Sequence, residues 1–340
     1  MEKYKIFGSE MSPYSVKVRA YLRFKKIPHE WILRSIENRI EFDKLAKIPL
    51  IPLVVCPSGE VLQDSTLIME RLEQEFPSPS IVPDDPKLNF LSALLEEFGD
   101  EWVNKIMFHY RWWSEVDQAS AARILAMSLE PNSTESSREK ENEVKSRMVG
   151  RRAFVGSSAD TAPLIGNYRN SLIAALETHL ADRLYLLGGR PSLGDFGIAS
   201  EIYELSSDPT GSGFLRSRAP KTLAWAYRML EPRTDGPYES WEELMPTLTP
   251  ILSEVGQLFL PWSSANREAL DKNEANFSVE LKGKVYTQQP QKYHAKSLQV
   301  LRDKFSQFED DLILNRVLEE TSCLRWLTQS TSIYQLTRNH

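Results

Sequence analysis

Two serine-bearing helix starts and one proline-edged strand hold the groups that could do chemistry near the beginning of this chain. Ser12-Pro13 follows the apolar run YKIFG and precedes a helix-patterned stretch. Serine is a preferred N-cap, and proline is favoured at the first helical position because its missing N–H would have no partner there. A hydroxyl so placed lies at the positive end of a helix, where an anion is stabilised; the same hydroxyl also serves as a plain cap. Asp64-Ser65 opens a second helix with a carboxylate and another hydroxyl, and Gln63 stands just before it. Ile51-Pro52 opens an apolar strand, and Pro52 lies 12 positions before Asp64. Ser9, Ser15 and Tyr4 are rival hydroxyls around the first turn; Tyr4 lies at the start of the strand, several residues from its end.

The elements that must position these groups are short and clearly punctuated. Residues 3–7 read as a buried strand. Residues 13–26 form an amphipathic helix with Val16, Ala20 and Phe24 on one face, stopped by Ile27-Pro28. His29–Arg34 is a second strand, parallel to the first through a right-handed crossover. Residues 39–47 make a short helix. Pro52–Cys56 and Val61–Gln63 flank the turn Pro57-Ser58-Gly59-Glu60 as an antiparallel hairpin. A helix from Asp64-Ser65 to about Phe76 closes a β-α-β-α-β-β-α order.

That order is thioredoxin-like. The stretches IFGSEMSPYSVKVRAYL, KIPLIPLVV and SGEVLQDSTLIMERLEQEFP resemble the N-terminal domain of the glutathione transferases. The resemblance implies an α/β thioredoxin-like domain over residues 1–82, an all-helical domain over 87–240, and an added C-terminal extension over 241–340. It implies glutathione as cosubstrate. Ile51 would pair with the extended cysteinyl backbone next to a cis Pro52, and Asp64 and Ser65 would meet the γ-glutamyl ammonium and carboxylate, with Ser9 and Gln63 as further contacts. Ser12 stands where serine-type and cysteine-type members carry their working residue. A free thiol has a pKa of about 8.5, and lowering it by two units takes about 2.7 kcal/mol of preference for the anion. A hydroxyl donor and a helix N-terminus are a source of that size. Serine forms no mixed disulfide, so the residue type favours thiolate activation over thiol reduction. One departure is Leu50, where many members carry Lys or Arg toward the glycyl carboxylate; Arg39, Lys44 and Lys47 are the nearby cations.

Beyond the linker Pro83-Asp84-Asp85-Pro86 the pattern turns helical. Leu88, Leu91, Leu95, Phe98, Trp102 and Ile106 make a core stripe. The resemblance places Tyr14, Tyr110 and Trp113 around an acceptor pocket. Ser192 and Asp195 form an S-x-x-D cap before an apolar helix and read as structural. In the extension, Phe277–Gln289 reads as a hairpin around a Lys-Gly turn, and Phe259, Pro261, Trp262 and Tyr293 are its aromatic candidates.

The totals fit this reading. The chain has 340 residues with 41% hydrophobic and 26% charged, ordinary for a globular protein. The net charge of −6 argues against a nucleic-acid partner. No run approaches the roughly 18 apolar residues of a membrane helix, and MEKYKIFGSE lacks the apolar run of a secretory signal. Cys56 and Cys323 are too few for a disulfide framework or a cysteine zinc site, which points to a reducing cytoplasm and no metal. The expected activity is transfer of glutathione to a small apolar electrophile by a homodimer. A non-catalytic binding or dimerisation module and a glutathione-dependent isomerase or reductase are the alternatives.

Overall fold

The computed structural model describes residues 3–133 and 138–328. Strands β1 (Tyr4–Gly8), β2 (His29–Leu33), β3 (Leu53–Val55) and β4 (Val61–Gln63) form one sheet in the order β2-β1-β3-β4. β1 and β2 are parallel, whereas β3 is antiparallel to both β1 and β4. Side chains alternate across a strand, and the register pairs Ile6 with Val54 and Phe7 with Leu53. Ile6 and Val54 therefore pack against helices α1 (Pro13–Phe24) and α3 (Ser65–Glu75). Phe7 and Leu53 face the other way, onto Phe42 of helix α2 (Arg39–Leu45). This is the thioredoxin-like arrangement, with helices on both faces of a small mixed sheet.

The helical part comprises α4 (Pro86–Phe98), α5 (Asn104–Trp113), α6 (Glu115–Leu129), α7 (Arg138–Gly150), α8 (Ala162–His179), α9 (Leu193–Ser206), α10 (Pro209–Arg218) and α11 (Pro220–Arg228). Helix α9 is the buried centre, packed on α1, α4, α5, α10 and α11. Its capping box is built from Ser192 and Asp195, and Asp195 also accepts from Leu186 N at 2.7 Å and Trp225 Nε1 at 3.0 Å. Those two residues are thus spent on folding. Where α4 meets α9, Gly197 lies against the α4 backbone: a side-chain carbon there would come within 2.8 Å of the Glu96 carbonyl oxygen. The apolar stripe of residues 88–106 does not belong to one regular helix, because Gly99–Val103 is a π-helical turn between α4 and α5.

Helices α12 (Trp241–Glu254), α13 (Leu260–Asp271), α14 (Lys292–Phe305), α15 (Leu312–Glu320) and α16 (Leu324–Leu327), with the hairpin β5 (Phe277–Leu281) and β6 (Lys284–Gln288), make up the extension. Its turn is the Lys282-Gly283 pair, with both residues at positive φ. Phe259, Pro261 and Trp262 are buried, so they dock the extension rather than line a site. Lys105 of α5 is caught in this junction, 3.9 Å from the Trp262 ring and 3.1 Å from Gln288 Oε1. Burial pulls its ammonium down to about 7, with Glu101 opposing. Helix α14 lies over α4, where Phe90 meets Phe305 and Phe308 at 5.6 and 5.7 Å between rings, and Lys304 reaches Glu70 of α3 at 3.1 Å.

Close backbone approach at Gly197 makes a specific prediction. Gly197→Ala forces α4 and α9 apart and should cost about 2 kcal/mol, an ordinary figure for overpacking, read as a lower urea midpoint.

Candidate functional site

The strand register collects the three chemistry-bearing pairs at one end of the sheet. Phe7, Leu53 and Gln63 lie side by side on β1, β3 and β4. Because β3 runs opposite to its neighbours, the chain just after Gly8, just before Leu53 and just after Gln63 all leave by the same end. Ser12, Ile51-Pro52 and Asp64-Ser65 are therefore neighbours along one sheet edge. Strands stand about 4.8 Å apart, so β1 to β4 spans roughly 10 Å.

Ser12 caps α1: its Oγ accepts from Ser15 N at 3.3 Å, and Pro13 occupies the first turn. The turn before it is tied by Ser9, whose Oγ accepts from Met11 N and whose carbonyl accepts from Ser12 N, each at 3.2 Å. Ser9 thus holds the turn's shape. Arg111 of α5 donates to the Met11 carbonyl at 3.0 Å, while its other nitrogens pair with Glu204 and Asp208 at 2.7 Å each. Tyr4 is spent elsewhere, donating to Glu75 at 2.7 Å, and Ser15 is fully buried in α1.

The bond Ile51-Pro52 is cis, as the resemblance implies. The segment before it is held by Gln63. Its Oε1 accepts from Lys47 N and Ile48 N, and its Nε2 donates to the carbonyls of Ile48 and Leu50, both at 2.9 Å. Gln63 therefore shapes this loop rather than reaching for a ligand, a correction to its expected role. Leu50 is exposed, and among the described residues the ammonium groups of Lys44 and Lys47 have no ion pair.

Asp64 caps α3 from a positive φ of 79°, its Oδ1 accepting from Thr66 N and Leu67 N. Beneath it lies a group that the sequence pattern hides. Lys17 of α1 is wholly buried and pairs with Glu96 of α4 and, at 2.7 Å, with Asp100 of the π-helical turn. Ser65 donates to Asp100 Oδ2 at 3.4 Å, and Thr66 donates to Glu96. Tyr14 donates to the Asp100 carbonyl at 2.9 Å. Two carboxylates thus share one ammonium. Burial pushes the Asp100 carboxyl up to about 7, with Lys17 opposing, and its Oδ1 has no partner among the described residues.

The acceptor-pocket expectation is corrected in part. Tyr14 lies at the start of α1, next to the Ser12 turn. Tyr110 and Trp113 do not face that turn. A helix turns about 100° per residue, so with Arg111 aimed at Met11 they point elsewhere. Tyr110 packs under Arg169, 4.4 Å from its ring, and Trp113 stacks on His109 at 4.7 Å beneath Arg152. On the α5 side, Phe108 and Trp112 accompany Met11 instead.

Residues 6–80 match the family described as glutathione S-transferase, N-terminal domain. Over these residues the chain carries a glutathione S-transferase N-terminal domain. Glutathione S-transferase U4 of Arabidopsis thaliana is 26% identical over 111 residues, which are 32% of this chain and 48% of that protein. A probable glutathione S-transferase of Solanum tuberosum is 30% identical over 89 residues, 25% of this chain and 40% of that one. The chain spans about half the length of the curated relatives it matches. Among solved structures, the tau-class glutathione S-transferase of Mangifera indica is 17% identical, covering 73% of this chain and 98% of its own, with a TM-score of 0.42. Lys17, within this domain, and Asp100, beyond it, are the site groups that sequence reasoning missed.

The shared ammonium also sets a pH dependence. An Asp whose folded pKa is about 7, against about 4 unfolded, binds more proton in the folded state between those values. Its contribution is full below about pH 4 and is lost as the pH rises through 7. Asp100→Asn should remove that slope, so urea midpoints taken from pH 5 to 8 should fall more steeply for wild type than for the variant.

Proposed function

We propose that the chain is a glutathione transferase whose Ser12 hydroxyl holds the sulfur of bound glutathione as a thiolate. The observation that carries this reading is the collection of Ser12, Ile51 and Asp64-Ser65 along one sheet edge. An extended tripeptide measures about 10 Å, the distance from β1 to β4. Its central backbone pairs with Ile51, since extended peptides add to exposed strand edges. Its γ-glutamyl carboxylate meets the backbone N–H of Ser65 at the positive end of α3, the Ser65 hydroxyl being held by Asp100 and Lys17. Its γ-glutamyl ammonium meets Asp64. Lys44 and Lys47 serve the glycyl carboxylate in place of a cation at position 50.

Ser12 keeps its cap while acting on sulfur. A serine hydroxyl has one proton to donate and two lone pairs, so accepting from Ser15 N leaves the donor for the thiolate. The thiolate then attacks an electrophilic atom of a small apolar acceptor. A carbon–sulfur bond forms with the sulfur's electron pair, and either a leaving group departs with its own pair or the adduct takes up a proton. Binding and pKa depression supply the rate, and no resident metal is invoked. A reducing compartment such as the cytoplasm suits Cys56 and Cys323, both free and buried. The two-fold dimer belongs to the same proposal and would have to form on a face that α14 leaves open.

Ultraviolet absorbance of the thiolate, followed through a pH titration of bound glutathione, tests the reading. Wild type should bring the thiol roughly one to two units below its free value, and Ser12→Ala should return it to near 8.5. No binding at millimolar glutathione overturns the proposal. Binding with an unshifted thiol identifies a non-catalytic binder instead.

A further inference from the structure

Between the start of α3 and helix α14 lies a cavity of about 70 Å³. One wall comes from the transferase domain, with Asp64 and Thr66; the other comes from the extension, with Tyr293, Lys296 and Ser297. The wall is acidic. The carboxylates of Glu101, Asp64, Glu97 and Asp100 all act on the Tyr293 hydroxyl. Most charged groups around the cavity are already committed. Glu97 accepts from Ser297, Glu101 lies against His294, and Lys304 is paired with Glu70. Two are not. Asp64 uses only Oδ1, and the Lys296 ammonium, exposed at the cavity rim, makes no hydrogen bond or ion pair among the described residues.

We propose that Lys296 and Asp64 together grip an α-amino-acid headgroup, with Lys296 binding its carboxylate and Asp64 its ammonium, so that the C-terminal extension completes the ligand site. This assignment rests on the glutathione reading, and the headgroup is then that of the γ-glutamyl residue. The charges argue for a zwitterion. An anion alone would meet an acidic wall with one uncommitted cation, since Lys304 is paired with Glu70, and a cation alone would leave Lys296 opposing it. A headgroup carrying both charges satisfies both free groups at once. Tyr293, itself exposed, lines the cavity from α14.

With Lys44 and Lys47 serving the glycyl end, Lys296 gives the ligand a second cation. The charge is provided at the other end of the tripeptide, by a helix distant in sequence. A charge-assisted contact of this kind at a partly exposed site corresponds to about a five- to tenfold change in affinity.

Calorimetric titration tests the assignment, using glutathione and a glutathione whose γ-glutamyl α-carboxylate is an amide. Lys296→Ala should raise the dissociation constant for glutathione about five- to tenfold, Lys296→Glu should raise it further, and Lys296→Arg should restore it. Lys292→Ala, an exposed lysine of the same helix outside the cavity, should change nothing. The amide should bind wild type and Lys296→Ala alike. Equal glutathione affinity in wild type and Lys296→Ala overturns the assignment while leaving the glutathione reading intact, and so does an equal loss for both ligands. Failure of wild type to bind glutathione overturns the glutathione reading, and this assignment with it.

Discussion

A single ammonium shut away from water between two carboxylates fixes where the site's parts lie. Lys17 comes from α1, Glu96 from α4 and Asp100 from the π-helical turn, and Ser65 and Thr66 of α3 bond to the same carboxylates. Four elements therefore share one buried charge cluster. Such a cluster contributes little net stability, because desolvation offsets most of the attraction. It is costly to disturb, since losing any partner leaves a charge unpaired in a low-dielectric interior. Its physical role is to fix register: α1 and α3 cannot slide against α4 without exposing a bare charge.

A second anchor does the same for the turn before Ser12. Arg111 spends its guanidinium on Glu204, Asp208 and the Met11 carbonyl. The hydroxyl's neighbour in the chain is thus held by α5, which in turn packs on α9. The small sheet supplies the edge, and the helical part determines how its loops are presented. The approach at Gly197 belongs to this scheme, since it lets α4 come close enough for Glu96 and Asp100 to reach Lys17.

The local features were the legible ones. Ser12-Pro13 reads as a helix start because capping chemistry acts within three residues. The hairpin at Lys282-Gly283 reads as a turn because a glycine supplies positive φ there. Strand and helix order followed from apolar spacing and proline stops. Lys17 escaped notice because a lysine in an amphipathic helix reads as a solvated one, and its partners stand 79 and 83 positions away. Gln63 looked available until its loop was seen to use both ends of its amide. Tyr110 and Trp113 were placed by the resemblance, which says that this helix borders the site but not which way it turns each side chain. The π-helical turn rephases α5 relative to α4, and no local residue pattern announces it.

The wall that α14 raises beside α3 has a consequence for the order in which the molecule is made. Lys304 meets Glu70 across 234 positions of chain. Domains fold as they emerge during synthesis, earliest segments first. The sheet, its helices and the buried Lys17 cluster all precede α14 in the chain. A nascent chain thus carries this edge with its flank open to water until α14 has followed.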